Sequence, residues 1–85
     1  MQVEFFGIPR ERAGVSSLEI RARTLGELLG ALKVQLPSFG DFIGANRSLH
    51  SAFAANLNGD RFVSDPATPL RDSDRLLILS ADAGG

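Results

Sequence analysis

Five leucines spaced for one face of an α-helix constrain the fold of this chain more than any other feature. Counted from the first, they stand at i, i+3, i+4, i+7 and i+11, which places them in a single apolar stripe; they are Leu25, Leu28, Leu29, Leu32 and Leu36. Thr24 and Glu27 form a Thr-x-x-Glu capping box at the start of the stripe, and Pro37 ends it. The sequence therefore predicts one amphipathic helix that must bury its leucines against another layer.

Two strand-like segments precede this helix. Val3–Ile8 is a short run of apolar, aromatic and β-branched residues. Val15–Ala22 alternates, with Leu18 and Ile20 on one face and polar residues on the other. Pro9–Gly14 lies between them and is expected to be a charged loop, so the pattern predicts a hairpin.

More strands follow the helix. The pair Asn58-Gly59 stands between the strand-like runs Phe53–Leu57 and Arg61–Val63, which is a strong hairpin signal. The run Leu76–Leu79 has no polar face and predicts a central final strand, because such runs occur where both faces of a sheet are covered. Residues 38–51 show no regular pattern, and we expect an irregular connection with a helical turn.

This order of elements predicts an α+β fold in which one main helix covers one face of a sheet. The final strand is expected to pair in parallel with Val3–Ile8. If Phe5 points inward, alternation points Phe6 outward, and Leu77 and Leu79 share one face of the last strand. Exposed apolar side chains grouped on a sheet mark a partner surface. The alternative is that the 38–51 connection shields Phe6.

Composition excludes several functions. A chain of 85 residues makes one domain, 1–85. It has no Cys and a single histidine, His50, so no thiolate or multi-histidine metal site is expected. A net charge of −1 argues against nucleic acid as a partner. No apolar run approaches the roughly 18 residues of a membrane span, so we expect a cytoplasmic domain without a membrane partner.

The sequence ends in Gly84-Gly85. Two residues without side chains adopt nearly any backbone conformation and fit a slot too narrow for a Cβ atom. We therefore expect a flexible tail over about residues 81–85 that presents the carboxylate of Gly85. A frayed terminus is the simpler alternative.

Three stretches together resemble the ThiS/MoaD-like sulfur carriers, and most of all the small subunit of molybdopterin synthase. They are the run Phe-Phe-Gly-Ile-Pro-Arg-Glu at 5–11 followed by Gly14, the run Pro-Leu-Arg-Asp-Ser-Asp at 69–74, and the terminal Gly-Gly. Two features depart from the family pattern. Ser73 stands where the family usually has glycine, and the tail lacks the prolines of molybdopterin synthase small subunits and is closer to the Ala-Gly-Gly ending of thiamine-type carriers.

The resemblance implies a β-grasp (ubiquitin-like) fold and a carrier that is not itself an enzyme. It implies that an E1-like adenylyltransferase uses ATP and Mg²⁺ to activate Gly85, with Gly84 beside it, for conversion to a thiocarboxylate; the chain itself would bind no cofactor or metal. The large subunit of molybdopterin synthase, or an equivalent sulfur acceptor, would be the second partner. The residues that would contact partners are Phe6, Arg10, Glu11, Arg61, Leu77 and Leu79. The alternatives are a thiamine or cysteine pathway, or a plain ubiquitin-like interaction module.

Overall fold

Five strands form one mixed sheet in the computed structural model, which describes residues 1–82. In chain order the strands and α-helices are β1 (Gln2–Phe5), α1 (Ile8–Ala13), β2 (Ser17–Glu19), α2 (Leu25–Gln35), β3 (Phe53–Leu57), β4 (Arg61–Val63) and β5 (Arg75–Ser80). A 3₁₀ helix, Pro37–Phe42, follows α2. The strand order across the sheet is β2-β1-β5-β3-β4, with helices on one face, so the predicted α+β, β-grasp architecture is confirmed.

The last strand of the chain lies in the middle of the sheet. β5 pairs in parallel with β1, with Val3 opposite Leu76, and antiparallel with β3, with Ala55 opposite Ile78. The predicted parallel pairing is therefore confirmed. Leu76 and Ile78 are fully buried under the helical layer, and Leu77 points to the other face.

Helix α2 buries four of the five leucines of the predicted stripe, and Leu36, which follows the end of the helix at Gln35, is half-buried. Leu25, Leu28, Leu29 and Leu32 are each at most 1% exposed. The Thr24 hydroxyl oxygen accepts a hydrogen bond from the Glu27 N–H at 3.2 Å. The Glu27 carboxylate in turn accepts one from the Arg23 N–H at 2.8 Å, so the predicted capping box satisfies two backbone donors at the helix start.

The segment expected to be a charged loop is a helix instead. α1 spans Ile8–Ala13 because Pro9 stands in its first turn, where a missing N–H costs nothing. Gly14 ends it in the left-handed region at φ 78°, and its N–H donates to the Arg10 carbonyl. The two flanking strands are consequently shorter than predicted, since β1 stops at Phe5 and β2 covers only Ser17–Glu19.

The connection after α2 packs against the core on the helical side of the sheet, and it does not cover the opposite sheet face. Phe39 of the 3₁₀ helix is fully buried, with ring centroids 5.4 Å from Phe5 and 5.8 Å from Phe53. The predicted helical turn within residues 38–51 is confirmed. Phe6 is 48% exposed, so the alternative in which this connection shields it is wrong.

Candidate docking face and C-terminal tail

The sheet face opposite the helices carries an apolar patch, called here the outer patch. Its members are Phe6, Asn56, Gly59, Phe62, Leu77 and Leu79, which together line one concavity. Phe6 is 48% exposed and Phe62 is 54% exposed, whereas the two leucines are half-buried. The predicted outward direction of Phe6, Leu77 and Leu79 is therefore confirmed. Exposed aromatic side chains grouped around a concavity are typical of a protein-binding surface.

Strand pairing builds the outer patch. Asn56 lies opposite Leu77 on one side and opposite Phe62 on the other. The inward neighbours of Asn56 on β3, Ala55 and Leu57, are buried in the core. Alternation then puts Asn56, and Phe62 across from it, on the outer face.

Asn56 and Phe62 were not predicted from the sequence as members of the outer patch. The signal that could have found them is the Asn58-Gly59 pair, because such a turn sets which residues of the two strands lie opposite each other. In the structure both turn residues have positive φ, 61° and 71°.

A charged border limits the outer patch on the same face. Glu4 lies opposite Leu77 on β1, and its carboxylate pairs with the Arg75 guanidinium at 2.9 Å. Asn56 is a polar residue inside the patch. Its side-chain oxygen is buried and has no hydrogen-bond partner among residues 1–82. A buried acceptor that is left unpaired lowers the free energy of unfolding by about 1–3 kcal/mol. The patch therefore offers a partner mainly apolar area, since the Asn56 oxygen is buried and Glu4 already pairs with Arg75.

Arg10 and Glu11 lie on α1, which begins two residues after Phe6. Both side chains are exposed, and together with Gly7 and Gly14 they line a shallow concavity. α1 packs against β1, β5 and the 3₁₀ helix, and Gly7, which lines this concavity, is the neighbour of the patch residue Phe6 in the chain.

Arg61 lies apart from the outer patch. It is opposite the inward-pointing Leu57 in the register, so alternation directs it to the side of β4 away from Phe62. Arg61 instead lines a polar concavity with Asn58, Arg71 and Asp74. The Asn58 amide donates to the Asp74 carboxylate at 3.0 Å, and the Arg71 N–H donates to it at 2.8 Å. These hydrogen bonds, with Asn58 first, lower the pKa of Asp74.

The C-terminal tail leaves the sheet at the end of β5. Leu79 belongs both to this strand and to the outer patch, and the Ala81 N–H donates to the Ala52 carbonyl at 2.9 Å just beyond the strand. The described part of the chain ends at Asp82, so the predicted site at Gly84 and Gly85 lies outside the described residues. The tail therefore starts beside the outer patch.

Other candidate sites from the sequence have structural roles. The His50 ring nitrogen Nδ1 accepts a hydrogen bond from the Ala52 N–H at 3.0 Å and thereby holds the turn before β3. Within residues 1–82 no three His, Cys, Asp or Glu side chains come together as a metal site would require. Neither α-helix of this part is long and apolar enough to cross a bilayer.

The fold and the patch beside the tail define a ubiquitin-like β-grasp protein, with a mixed five-stranded sheet that packs on one main helix. The family model described as the ThiS family matches residues 3–85, and the chain belongs to this family of sulfur carriers and ubiquitin-like modifiers. The predicted family is thus confirmed. No curated protein matches the chain by sequence.

Solved structures support the same assignment. SAMP1 (small archaeal modifier protein 1) from Methanosarcina acetivorans is 26% identical, with a TM-score of 0.77 over 99% of this chain and 94% of that one. The BexX/CysO complex from Amycolatopsis orientalis contains a chain that is 25% identical, with a TM-score of 0.78 over 99% and 98%. A Pyrococcus furiosus protein, provisionally named molybdopterin converting factor subunit 1, is 24% identical, with a TM-score of 0.74 over 93% of each chain, and shows the fold.

Proposed function

We propose that the chain carries sulfur as a thiocarboxylate on Gly85 and is a substrate of its partners rather than an enzyme. In the first step, an oxygen of the Gly85 carboxylate attacks the α-phosphorus of ATP, and pyrophosphate leaves. A sulfide nucleophile, HS⁻, then attacks the acyl carbon, AMP leaves, and the product is the thiocarboxylate. ATP and Mg²⁺ belong to an E1-like adenylyltransferase, and the chain supplies a narrow tail and a docking face.

One observation carries this proposal: the family match extends over residues 3–85 and thus includes the Gly-Gly end. The position of the outer patch adds support. Leu79 is the last patch residue on β5, and Ala81 is the first residue after the strand. A partner that covers the patch therefore holds the base of the tail, and it needs to reach only a few residues further to meet Gly85.

For the sulfur acceptor, we propose the large subunit of molybdopterin synthase. The opening Phe-Phe-x-x-x-Arg-Glu run supports this choice, since the structure sets Phe6 in the outer patch and Arg10 and Glu11 on the adjoining α1. An acceptor enzyme in thiamine or cysteine biosynthesis is the second candidate, which the Ala-Gly-Gly ending and the similarity to the CysO complex favour. A third candidate is a protein modifier that forms isopeptide bonds, which the similarity to SAMP1 favours.

The test follows adenylation directly with variants of the tail. ATP–pyrophosphate exchange by a cognate E1-like enzyme should require the intact chain and should disappear when Gly85 is deleted or one residue is added after it. Gly84→Val should also fail, because a β-branched side chain widens and stiffens the tail. All variants should keep the circular dichroism spectrum of the parent chain, since terminal residues contribute few contacts. Exchange that persists with the extended chain would contradict a role for the terminal carboxylate.

A further inference from the structure

A second concavity lies on the opposite side of β4 from the outer patch. It has a volume of about 330 Å³ and opens between the start of α2, strands β3 and β4, and the segment before β3. Its floor is apolar and includes Leu25, Leu29, Phe53 and Ala55. Three hydroxyl groups, from Ser48, Ser51 and Ser64, lie among its lining. We call it the edge cavity, and a space of this size admits one large apolar side chain.

Arg47 places a positive charge beside the edge cavity. Its backbone is held at φ 60°, where its N–H donates to the Gly44 carbonyl at 2.9 Å. Its side chain lies along α2 over Gly26 and Gly30, because a Cβ atom at Gly30 would stand only 3.5 Å from Arg47 Nε. Leu25 and Leu29, which precede these glycines, line the cavity. Arg47 does not itself line the cavity, but the next residue, Ser48, does, and the Arg47 side chain lies over α2 outside the cavity lining.

The charge of Arg47 is not compensated inside the described part of the chain. The ion pairs there involve the N-terminus with Glu19 and Arg75 with Glu4, and Arg47 takes part in neither. The left-handed backbone and the two glycines nevertheless fix where its stem lies. A cation held in place without an anion is suited to bind a carboxylate that arrives with a ligand.

Strand β4 supplies the third element of the site. It is at the edge of the sheet, so one side of its backbone pairs with β3 and the other is not part of any ladder among residues 1–82. Phe62 lines both the edge cavity and the outer patch. An extended segment laid along β4 would thus place alternate side chains on the two sides of this edge.

We propose that β4 and the edge cavity bind an extended peptide segment that carries a large apolar side chain two residues away from a carboxylate. The apolar side chain enters the cavity over Leu29 and Ala55, and the carboxylate pairs with Arg47. The backbone of the segment adds a sixth strand beside β4. A peptide fits better than a free amphiphilic acid, because only a peptide also satisfies the backbone groups of the sheet edge.

This site does not involve the tail, and its test can therefore fail independently of the proposed sulfur chemistry. The probe is a capped pentapeptide of aspartate, valine, leucine, valine and aspartate, titrated into the labelled chain and followed by amide chemical shifts. Shifts should concentrate at residues 47–51 and 62–64. Deletion of Gly85 should leave the affinity for the probe unchanged.

Two matched changes give the test its specificity. Arg47→Glu should weaken binding about fivefold or more, as expected for loss of about 1 kcal/mol from one surface ion pair. Arg21→Glu makes the same charge change at another exposed arginine and should have no effect. A probe with serine in place of leucine should bind more weakly to both variants and to the parent chain.

Three outcomes would overturn the proposal. The first is an absence of shifts at the edge cavity at millimolar probe. The second is equal binding by Arg47→Glu and Arg21→Glu. The third is concentration-dependent shifts at β4 without any probe, which would show that a second copy of the chain occupies the edge.

Discussion

Leu79 joins the two parts of the candidate site, since it is a member of the outer patch and stands next to the end of β5. Replacement by aspartate should weaken binding to the adenylyltransferase by about 2 kcal/mol or more, as expected when an unpaired charge is buried at the centre of an interface. Isothermal titration calorimetry with the purified enzyme measures this loss.

A matched control separates this effect from a general effect of added charge. Val34 is 79% exposed on α2, on the helical side of the sheet, and Val34→Asp should leave the affinity unchanged. Both variants should keep the parent thermal transition within a few degrees. Equal affinity of Leu79→Asp and the parent chain, with the fold intact, would show that the partner docks elsewhere.

Helix α2 contains two glycines whose surroundings differ. A glycine in a helix interior costs about 0.8–1 kcal/mol relative to alanine; Gly30 has such a position, whereas Gly26 is the second residue of α2. At Gly30 a Cβ atom would meet Arg47 atoms at 3.5 Å or more, which is ordinary contact. At Gly26 it would meet the Pro66 Cβ at 3.1 Å and the Pro66 carbonyl oxygen at 3.2 Å, and that carbonyl also accepts the Gly26 N–H.

The two alanine substitutions should therefore have different effects on the melting temperature. Gly30→Ala should raise the melting temperature by about 4–8 °C, the shift expected for 1 kcal/mol in a domain of this size. Gly26→Ala should give no gain or a loss, because the helix must move away from Pro66. Differential scanning calorimetry measures both, and an equal increase in the two variants would show that Pro66 does not restrict the helix.

At the scale of elements, the helix and the strands that carry a clear pattern or turn signal were predicted, including the hairpin of Phe53–Leu57 and Arg61–Val63, whereas the short helix α1 was not. The leucine stripe fixed α2, and the all-apolar Leu76–Leu79 run fixed the central position of β5. Helix α1 could not be predicted from periodicity, because six residues give too few turns to show a period. Its signals are local: a proline in the first turn and a glycine just after the end.

The candidate site was predictable in part for a similar reason. Alternation along β1 and β5 placed Phe6, Leu77 and Leu79 on one face, because both strands are regular. Arg61, in contrast, points to the other side of β4, because the hairpin register pairs Phe62, and not Arg61, with Asn56. Which residue of a short edge strand faces outward depends on the turn geometry rather than on composition.

At the scale of the whole molecule, the core and the functional surface use opposite faces of one sheet. The helices and Phe39 bury the inner face, which leaves the outer patch free for a partner. β5 belongs to both sides, since Leu76 and Ile78 point to the core and Leu77 and Leu79 point to the patch. The same strand ends at Ser80, just before the tail, so a partner docked on the outer patch would lie beside the start of the tail.

The intact mass of the chain after sulfur transfer tests whether Gly85 becomes a thiocarboxylate. The full-length chain is incubated with a cognate E1-like enzyme, ATP, Mg²⁺ and a sulfur donor, and then measured by mass spectrometry. We expect a gain equal to the replacement of one oxygen atom by one sulfur atom, located on the C-terminal fragment. A mass that stays unchanged while the enzyme converts a known carrier, or the same gain in a chain without Gly85, would contradict it.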